Sequence, residues 1–424
     1  MFEKRLRFSD IAVKNNATNL ALGFPDYIVH EVVTKALSSA TLSSVIMNQY
    51  TRGAGHPRLT NILSKIYSKL TNHAINPQTD IVITVGGFEA IYCAIYSHVN
   101  PGDEVIIIEP YEPVTRFANG IPVFVPLRPT KKNGVIRGRD WVLDPKELRS
   151  KFSSKTKMII LNTPNNPTGK IFTLNELQMI AKLCIEFNTL VLMDEVYEWM
   201  TFDDNNHIRM SKTEYIKNKH NNDECYFCIH TDTLPGMWNR TITVGSAGKT
   251  FSVTGWKIGY AYGPEHLIKP LKLVHQYAIA ICSTPLQEAL AVAYEMEYER
   301  LNQPSSFFKQ FAISLQQKRD LIVKMFNEVN MNVVIPDGGF FVIVDFSNIA
   351  KRVNFASEEG ETKDWKFVNW LSKYRQLQAI PYSVFYSKNH RHISQNFIRL
   401  CFAKKNETLE EVRRIIHGLK QLLN

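Results

Sequence analysis

Four short segments of this 424-residue chain carry residue types whose chemistries complement one another. The richest is Thr-Ile-Thr-Val-Gly-Ser-Ala-Gly-Lys-Thr-Phe-Ser-Val-Thr-Gly-Trp-Lys-Ile-Gly-Tyr, residues 241–260. Lys249 there is a primary amine able to attack an aldehyde, and Ser246 and Lys257 flank it at spacings that let a hydroxyl and an ammonium hold a phosphate. A second segment, Leu-Val-Leu-Met-Asp-Glu-Val-Tyr (190–197), sets Asp194 at the tip of an apolar run. A carboxylate in that position is costly unless a cation neutralises it. A protonated pyridine nitrogen would do so and would make Asp194 the group that keeps the ring an electron sink, with Tyr197 in reach of a phenolic ring oxygen. A surface carboxylate where a strand ends is the plainer reading of the same residues.

The third segment, Thr-Val-Gly-Gly-Phe-Glu-Ala-Ile (84–91), leads from a strand through a glycine pair into a helix. Glycine lets backbone N–H groups approach an anion, and a helix N-terminus favours a phosphate. The same residues also serve as an ordinary tight connection. In the fourth, Leu-Asn-Thr-Pro-Asn-Asn-Pro-Thr-Gly (161–169), the prolines freeze the backbone and the Asn166 amide can donate to a phenolate-type oxygen. An ordinary Asn/Pro turn reads equally well, and a cis bond at Asn166–Pro167 is a point to check.

The elements that must position these segments are short β-branched runs alternating with helical patterns, the mark of a parallel sheet wrapped by helices. Strands are predicted at 81–85, 104–108, 121–125, 157–161, 190–194, 241–245 and 257–262, seven in all. Between 157 and 194 one βαβ unit is nearly explicit, its helix opened by Thr173 with Glu176 three residues on. Ligands of such sheets bind at the carboxyl ends of the strands, where all four segments fall. Beyond residue 264 the pattern turns to long amphipathic helices, a strand at 340–345, a helix near 364–373, a strand at 396–402 and a helix from 407. The expected organisation is an N-terminal arm (1–32) packed with a small α+β domain (291–424), and a large domain (33–290) carrying a polar surface insertion at 203–233.

Bulk properties narrow the function classes. No apolar run approaches the length needed to cross a bilayer. The net charge of +10 is spread along the chain, and its densest basic cluster, Lys131, Lys132, Arg137 and Arg139, reads as a solvated loop, so nucleic acid is not an expected partner. The first ten residues lack the apolar core of a secretory signal, and a cytoplasmic protein is expected, with a mitochondrial one as the alternative. Cys93, Cys184, Cys282 and Cys401 lie in apolar contexts typical of buried thiols, which argues against a disulfide framework.

On these residues the chain resembles the fold-type-I aminotransferases, and within them the kynurenine aminotransferase group, also known as glutamine transaminase K or cysteine-S-conjugate β-lyase. Gly-Phe-Pro-Asp (23–26), Asn-Gln-Tyr-Thr (48–51), Asp-Glu-Val-Ile-Ile-Ile-Glu-Pro (103–110), Pro-Asp-Gly-Gly-Phe-Phe (336–341), Ala-Ile-Pro (379–381) and Phe-Ile-Arg-Leu-Cys-Phe (397–402) carry the likeness beside the four segments above. It runs over nearly the whole chain after about residue 18. The resemblance implies a pyridoxal 5'-phosphate (PLP) enzyme moving an amino group from an L-amino acid to a 2-oxo acid. It implies Lys249 as the Schiff-base lysine and proton shuttle, Asp194 on the pyridine nitrogen, and Asn166 and Tyr197 on the ring oxygen. Gly87, Phe88, Ser246 and Lys257 would hold the phosphate, with Tyr50 reaching it from a second subunit, so a homodimer is implied. Arg399 would clasp the substrate α-carboxylate, supported by the Gly23 backbone.

Three departures from the family pattern bear on function. Where the family has an aromatic pair and a short loop before Tyr-Glu-Pro, Pro110 is followed at once by Tyr111-Glu112-Pro113. The ring that stacks on the cofactor is then either Tyr111 after a backbone shift, or absent. The arm also lacks a clear counterpart of the family's pocket-walling aromatic. The insertion contains Cys225-x-x-Cys228 with His220 and His230 nearby, residue types that can bind zinc, although a lone Cys pair in a loop is usually no metal site and none is assigned.

Overall fold

The computed structural model describes residues 2–108, 111–131, 134–212, 234 and 236–421. Among them, seven strands form one sheet: β1 (Ile81–Val85), β2 (Glu104–Ile107), β3 (Ile121–Phe124), β4 (Thr156–Asn162), β5 (Leu190–Asp194), β6 (Thr241–Gly245) and β7 (Ile258–Tyr262), in the spatial order β1-β7-β6-β5-β4-β2-β3. Only β7 runs antiparallel to its neighbours. Helices cover both faces, so the central strands are buried along nearly their whole length rather than at alternate residues. The helix after β4, Leu174–Glu186, opens with the expected reciprocal cap of Thr173 and Glu176.

Register decides what the sheet can do. The β4–β5 ladder sets Asn162 opposite Asp194, and the β5–β6 ladder sets Asp194 opposite Val244, one residue before Gly245. Three strand ends that carry polar chemistry therefore stop side by side.

A second sheet runs in the order Ile380–Pro381, β10 (Phe397–Cys401), β9 (Phe341–Asp345), β8 (Asn332–Ile335) and Ile136–Arg137. The arm joins this half: Phe8 of the Phe2–Lys14 helix packs its ring 4.8 Å from Trp365, and Thr18–Asn19 pairs in parallel with Leu377–Gln378. Cys401 N–H then donates to Leu20 carbonyl at 2.7 Å, which brings residues 21–23 beside Arg399. One buried apolar cluster includes Ile159 and Met193 of the large sheet and Val344 and Leu400 of the small one, so the two halves share a core.

Two expectations need correction. The basic stretch near 131–139 is not a loose solvated loop: Ile136–Arg137 is an edge strand beside β8, and Arg137 and Arg139 pair with Asp203 and Asp337 while Lys131 pairs with Asp140. Nor does the segment from 203 begin as a surface insertion, because Arg209, Met210 and Ser211 are buried. Polar contacts draw it inward: His207 meets Glu195 at 2.8 Å and Arg209 forms an ion pair with Glu198. Residues 213–233, with Cys225, Cys228, His220 and His230, lie outside the described residues, as do Lys132, Glu109 and Pro110. Cys93, Cys184, Cys282 and Cys401 are free and buried. No helix among the described residues is long and apolar enough to cross a membrane.

Candidate active site

Lys249 sits on a single helical turn, Ala247–Thr250, that starts where β6 ends. Its ammonium nitrogen donates to the Gly23 carbonyl at 3.0 Å and lies 5.3 Å from the Phe340 ring centroid and 6.0 Å from that of Tyr197. Burial pushes its pKa down to about 8; Cys401 opposes the shift, and the positive charges of Arg399 and Lys257 add to it. A buried lysine in that state supplies a neutral, nucleophilic amine near neutral pH.

Asp194 closes β5 and is buried, with its pKa pushed up to about 6 by that burial. The Tyr111 hydroxyl, the Val196 N–H and the Lys249 charge pull the other way. Oδ2 accepts from Tyr111 Oη at 2.8 Å, while Oδ1 takes only a long 3.4 Å contact from Val196 N–H. Asp194 has no ion pair among the described residues, so a buried acid is left facing the site with one oxygen weakly engaged. That is the partner a protonated ring nitrogen needs.

Beside it lies a cradle for an anion. Gly86 takes φ +76° as it opens the Gly86–His98 helix, and a Cβ on it would lie 3.2 Å from Lys257 Nζ, so the ammonium hangs over the first turn. Gly87 is pressed so close to Val196 that a Cβ would meet its Cγ1 at 2.9 Å. Gly259 of β7 lies against the same turn, where a Cβ would approach Gly86 and Gly87 backbone atoms to 2.4 Å. The first N–H groups of a helix have no intrahelical acceptor and favour an anion. Ser246 is the N-cap of the Lys249 turn, and its hydroxyl makes no capping bond.

On the other side, the peptide bonds Thr163–Pro164 and Asn166–Pro167 are both cis. Asn166 N–H donates to Asn162 Oδ1 at 2.6 Å, and Asn162 Nδ2 donates to the Asp194 carbonyl at 2.9 Å. Asn166 Oδ1 accepts from Arg399 Nη1 at 3.0 Å, which leaves Nδ2 as the group to donate outward. Arg399, on β10, also donates from Nη2 to the Ala21 carbonyl at 2.6 Å, and its guanidinium lies 4.0 Å from the Phe341 ring centroid and 5.1 Å from that of Phe385. Two rings and two oxygens fix the plane of the fork, as bidentate carboxylate recognition requires. A side chain at Gly23 would displace the ring that clamps Arg399, because a Cβ would fall 2.4 Å from Phe341 Cζ.

Thus Lys249, Asp194, Asn166, Arg399 and Gly23 come together, with Tyr197 packed edge-on to Phe340 behind the lysine. Lys257 lies over the Gly86–Gly87 turn, and Ser246 follows Gly245, whose carbonyl would lie 3.6 Å from a Cβ on Gly87. Phe88 is half-exposed at its rim, and Tyr50 is 88% exposed on the outer surface. Sequence reasoning missed two residues. Asn162, quoted as part of a turn, links Asp194 to Asn166; its position at the end of a buried strand was the available signal. Tyr111, weighed only as a stacking ring, places its hydroxyl on Asp194, which no spacing encodes.

The sequence profile of the family Aminotransferase class I and II matches residues 15–416. Human kynurenine–oxoglutarate transaminase 3 is 43% identical over 417 residues, 97% of this chain and 87% of that one, and human kynurenine–oxoglutarate transaminase 1 is 40% identical over 96% of this chain and 93% of that one. Among solved structures, Bna3p of Saccharomyces cerevisiae superposes with a TM-score of 0.88 at 29% identity, covering 100% of this chain and 96% of its own. YbdL of Escherichia coli, which has a methionine aminotransferase function, reaches 0.81 at 28% identity over 97% of this chain and 96% of its own. With its mostly parallel sheet, and a lysine, an acid and an arginine converging at the strand ends, the chain belongs to the class I and II aminotransferases and is an amino-acid aminotransferase.

Proposed function

We propose that this aminotransferase holds pyridoxal 5'-phosphate at the carboxyl ends of β4, β5 and β6, and that it takes amino groups from glutamine, kynurenine, aromatic or sulphur-containing L-amino acids for transfer to 2-oxo acids. The observation that carries this reading is the convergence of a buried lysine of lowered pKa, a buried acid with no ion partner among the described residues and a planar, ring-clamped arginine around one space. When bound, the cofactor supplies an electron sink conjugated to the amino acid's α-carbon. Asp194 keeps the ring nitrogen protonated. Arg399 orients the α-carboxylate, so that the Cα–H bond points at Lys249, whose amine takes the proton and returns it one position away. Gly86, Gly87, Ser246 and Lys257 hold the phosphate. Residues 33–290 form the cofactor half, and the arm with residues 291–424 forms the substrate half.

The reading includes a homodimer. Ile28, Leu42, Val45, Ile46 and Tyr50 are largely exposed near the Glu31–Ser43 helix, and Tyr277 is exposed on another. Apolar exposure on that scale suits burial by a partner, and a second copy would carry Tyr50 to the cofactor phosphate of the first.

Titrating the cofactor-loaded protein with a panel of amino acids, and following its visible absorbance, tests the function. A shift with amino acid that reverses on adding a 2-oxo acid is the expected outcome. No shift with any amino acid overturns the reading. Release of pyruvate, ammonia and thiol from a cysteine conjugate with no acceptor present assigns β-elimination to the same lysine.

A further inference from the structure

The phosphate cradle is held from behind by a cluster that does not itself face the site. Val85 is the N-cap of the Gly86–His98 helix and has no side chain able to cap. Its N–H donates instead to Glu89 Oε2 at 2.7 Å, so Glu89 reaches back along the first turn. The other oxygen, Oε1, accepts from Cys93 Sγ at 2.9 Å and from His275 Nδ1 at 2.8 Å. His275 is buried on the Glu265–Ala278 helix, and among the described residues its Nε2 has no hydrogen-bond partner and Glu89 is the side-chain partner of its ring. Despite burial, which acts to raise it, the Glu89 pKa is held below the usual carboxylate range by His275, Cys93 and the Val85 N–H.

A charged carboxylate one turn from an anion cradle calls for an explanation, because it repels a phosphate. Glu89 offsets that cost in two ways. It takes up the Val85 N–H, which leaves the next N–H groups, those of Gly86, Gly87 and Phe88, as the ones directed outward. Through His275 it also ties the first turn to the neighbouring helix, so the turn is fixed from both sides: by Gly259 and Lys257 in front and by His275 behind.

We infer that Glu89, oriented by His275, is a positioning residue that presets the Gly86–Phe88 turn for the cofactor phosphate. The inference rests on the cofactor reading above and concerns the phosphate alone, not the aldehyde or the ring. It therefore separates two ligands that share the aldehyde chemistry of Lys249: pyridoxal 5'-phosphate and pyridoxal.

The test is equilibrium binding of both ligands to cofactor-free wild-type, Glu89→Gln, His275→Gln and double-variant protein, followed by absorbance. In Glu89→Gln the dissociation constant for pyridoxal 5'-phosphate is expected to rise about tenfold, the scale of one hydrogen bond to a charged group, while that for pyridoxal stays within about twofold of wild type. His275→Gln is expected to lose less, and the double variant no more than Glu89→Gln alone, because His275 acts through Glu89. Equal losses for the two ligands would mean a general packing role and would overturn the inference. So would unchanged or tighter phosphate binding in Glu89→Gln, which would make the carboxylate a source of repulsion only. Wild-type protein that binds neither ligand would sink the cofactor reading itself, an outcome distinct from either of these.

Discussion

Tyr111 Oη donates to Asp194 Oδ2 at 2.8 Å, which ties the residue that opens the Glu112–Phe117 helix to the end of β5. Tyr111 is thereby committed edge-first to the acid, and its hydroxyl is one of the groups that hold the Asp194 pKa down against burial. Tyr111→Phe removes that donor, so the Asp194 pKa should climb above its present value of about 6. On the proposed reading Asp194 meets the protonated ring nitrogen in its charged form. Affinity is present above the folded pKa and lost as pH falls through it, so the acid-side midpoint of cofactor binding should move to higher pH in the variant. At neutral pH the affinity should fall about tenfold. Cofactor titrations at a series of pH values measure both; an unmoved midpoint would rule out electrostatic control by Tyr111.

Lys249 is lowered to about 8, so roughly one molecule in ten carries a neutral amine at pH 7. The rate at which cofactor-free protein captures pyridoxal 5'-phosphate should therefore rise with pH and level off above about 8. Arg399 and Lys257 depress this pKa and Asp194 raises it. Asp194→Asn should accordingly shift the inflection to lower pH, and stopped-flow absorbance gives the direction. Lys249→Ala should abolish both capture and turnover.

Arg399 is held by Asn166, the Ala21 carbonyl and two aromatic rings, so its fork is in place before any substrate arrives. Arg399→Ala should raise KM for amino acids about 100-fold, the loss expected for hydrogen bonds to a charged carboxylate. Steady-state kinetics on amino acids alongside their decarboxylated amines separates this role from a packing defect, because an amine has no carboxylate to lose.

Much of this site was legible before the structure. Asp194 and Lys249 follow apolar β-branched runs, and a parallel sheet puts the ends of such runs at its ligand edge, so local pattern sufficed. Arg399 lies in another run and another sheet, and only the family likeness placed it. What stayed hidden depends on contacts between distant segments. Ile136–Arg137 is too short to show a period, and it becomes a strand only because β8 offers an edge beside Asp337. Glu89 looks like any helix-surface acid until His275, 186 residues later, packs against it. Polar residues near 207–211 read as a surface loop because sequence does not reveal that Glu195 and Glu198 lie beneath them.

Tyr50 is nearly fully exposed within one chain, yet the family reading takes it to a second copy's phosphate. If so, Tyr50→Ala and Lys249→Ala damage different subunits' contributions to one site. Each variant alone should be severely impaired. Co-refolding the two should restore partial activity, since a mixed dimer rebuilds one site with both residues intact. A mixture no more active than its components would exclude a shared site, and sedimentation would show whether a dimer forms at all.

Arg209 is a buried charge outside the site. It is buried against Glu198 and lies 3.7 Å from Glu195, and Glu198 in turn accepts from the Tyr67 hydroxyl. Arg209→Ala leaves the buried Glu198 without its fixed cation, a loss of about 3–5 kcal/mol for a broken buried pair. The pH dependence has a definite sign. Burial already raises the Glu198 pKa, and Arg209 is the largest influence opposing it. A buried acid of raised pKa favours folding most when protonated, so its contribution is lost as pH rises through the folded value. Without Arg209 that value climbs further. The variant's drop in Tm should therefore be smaller at pH 5 than at pH 8, where Glu198 is more strongly driven to ionise; a drop that is equal at the two pH values would mean the arginine acts through packing of its stem rather than through its charge.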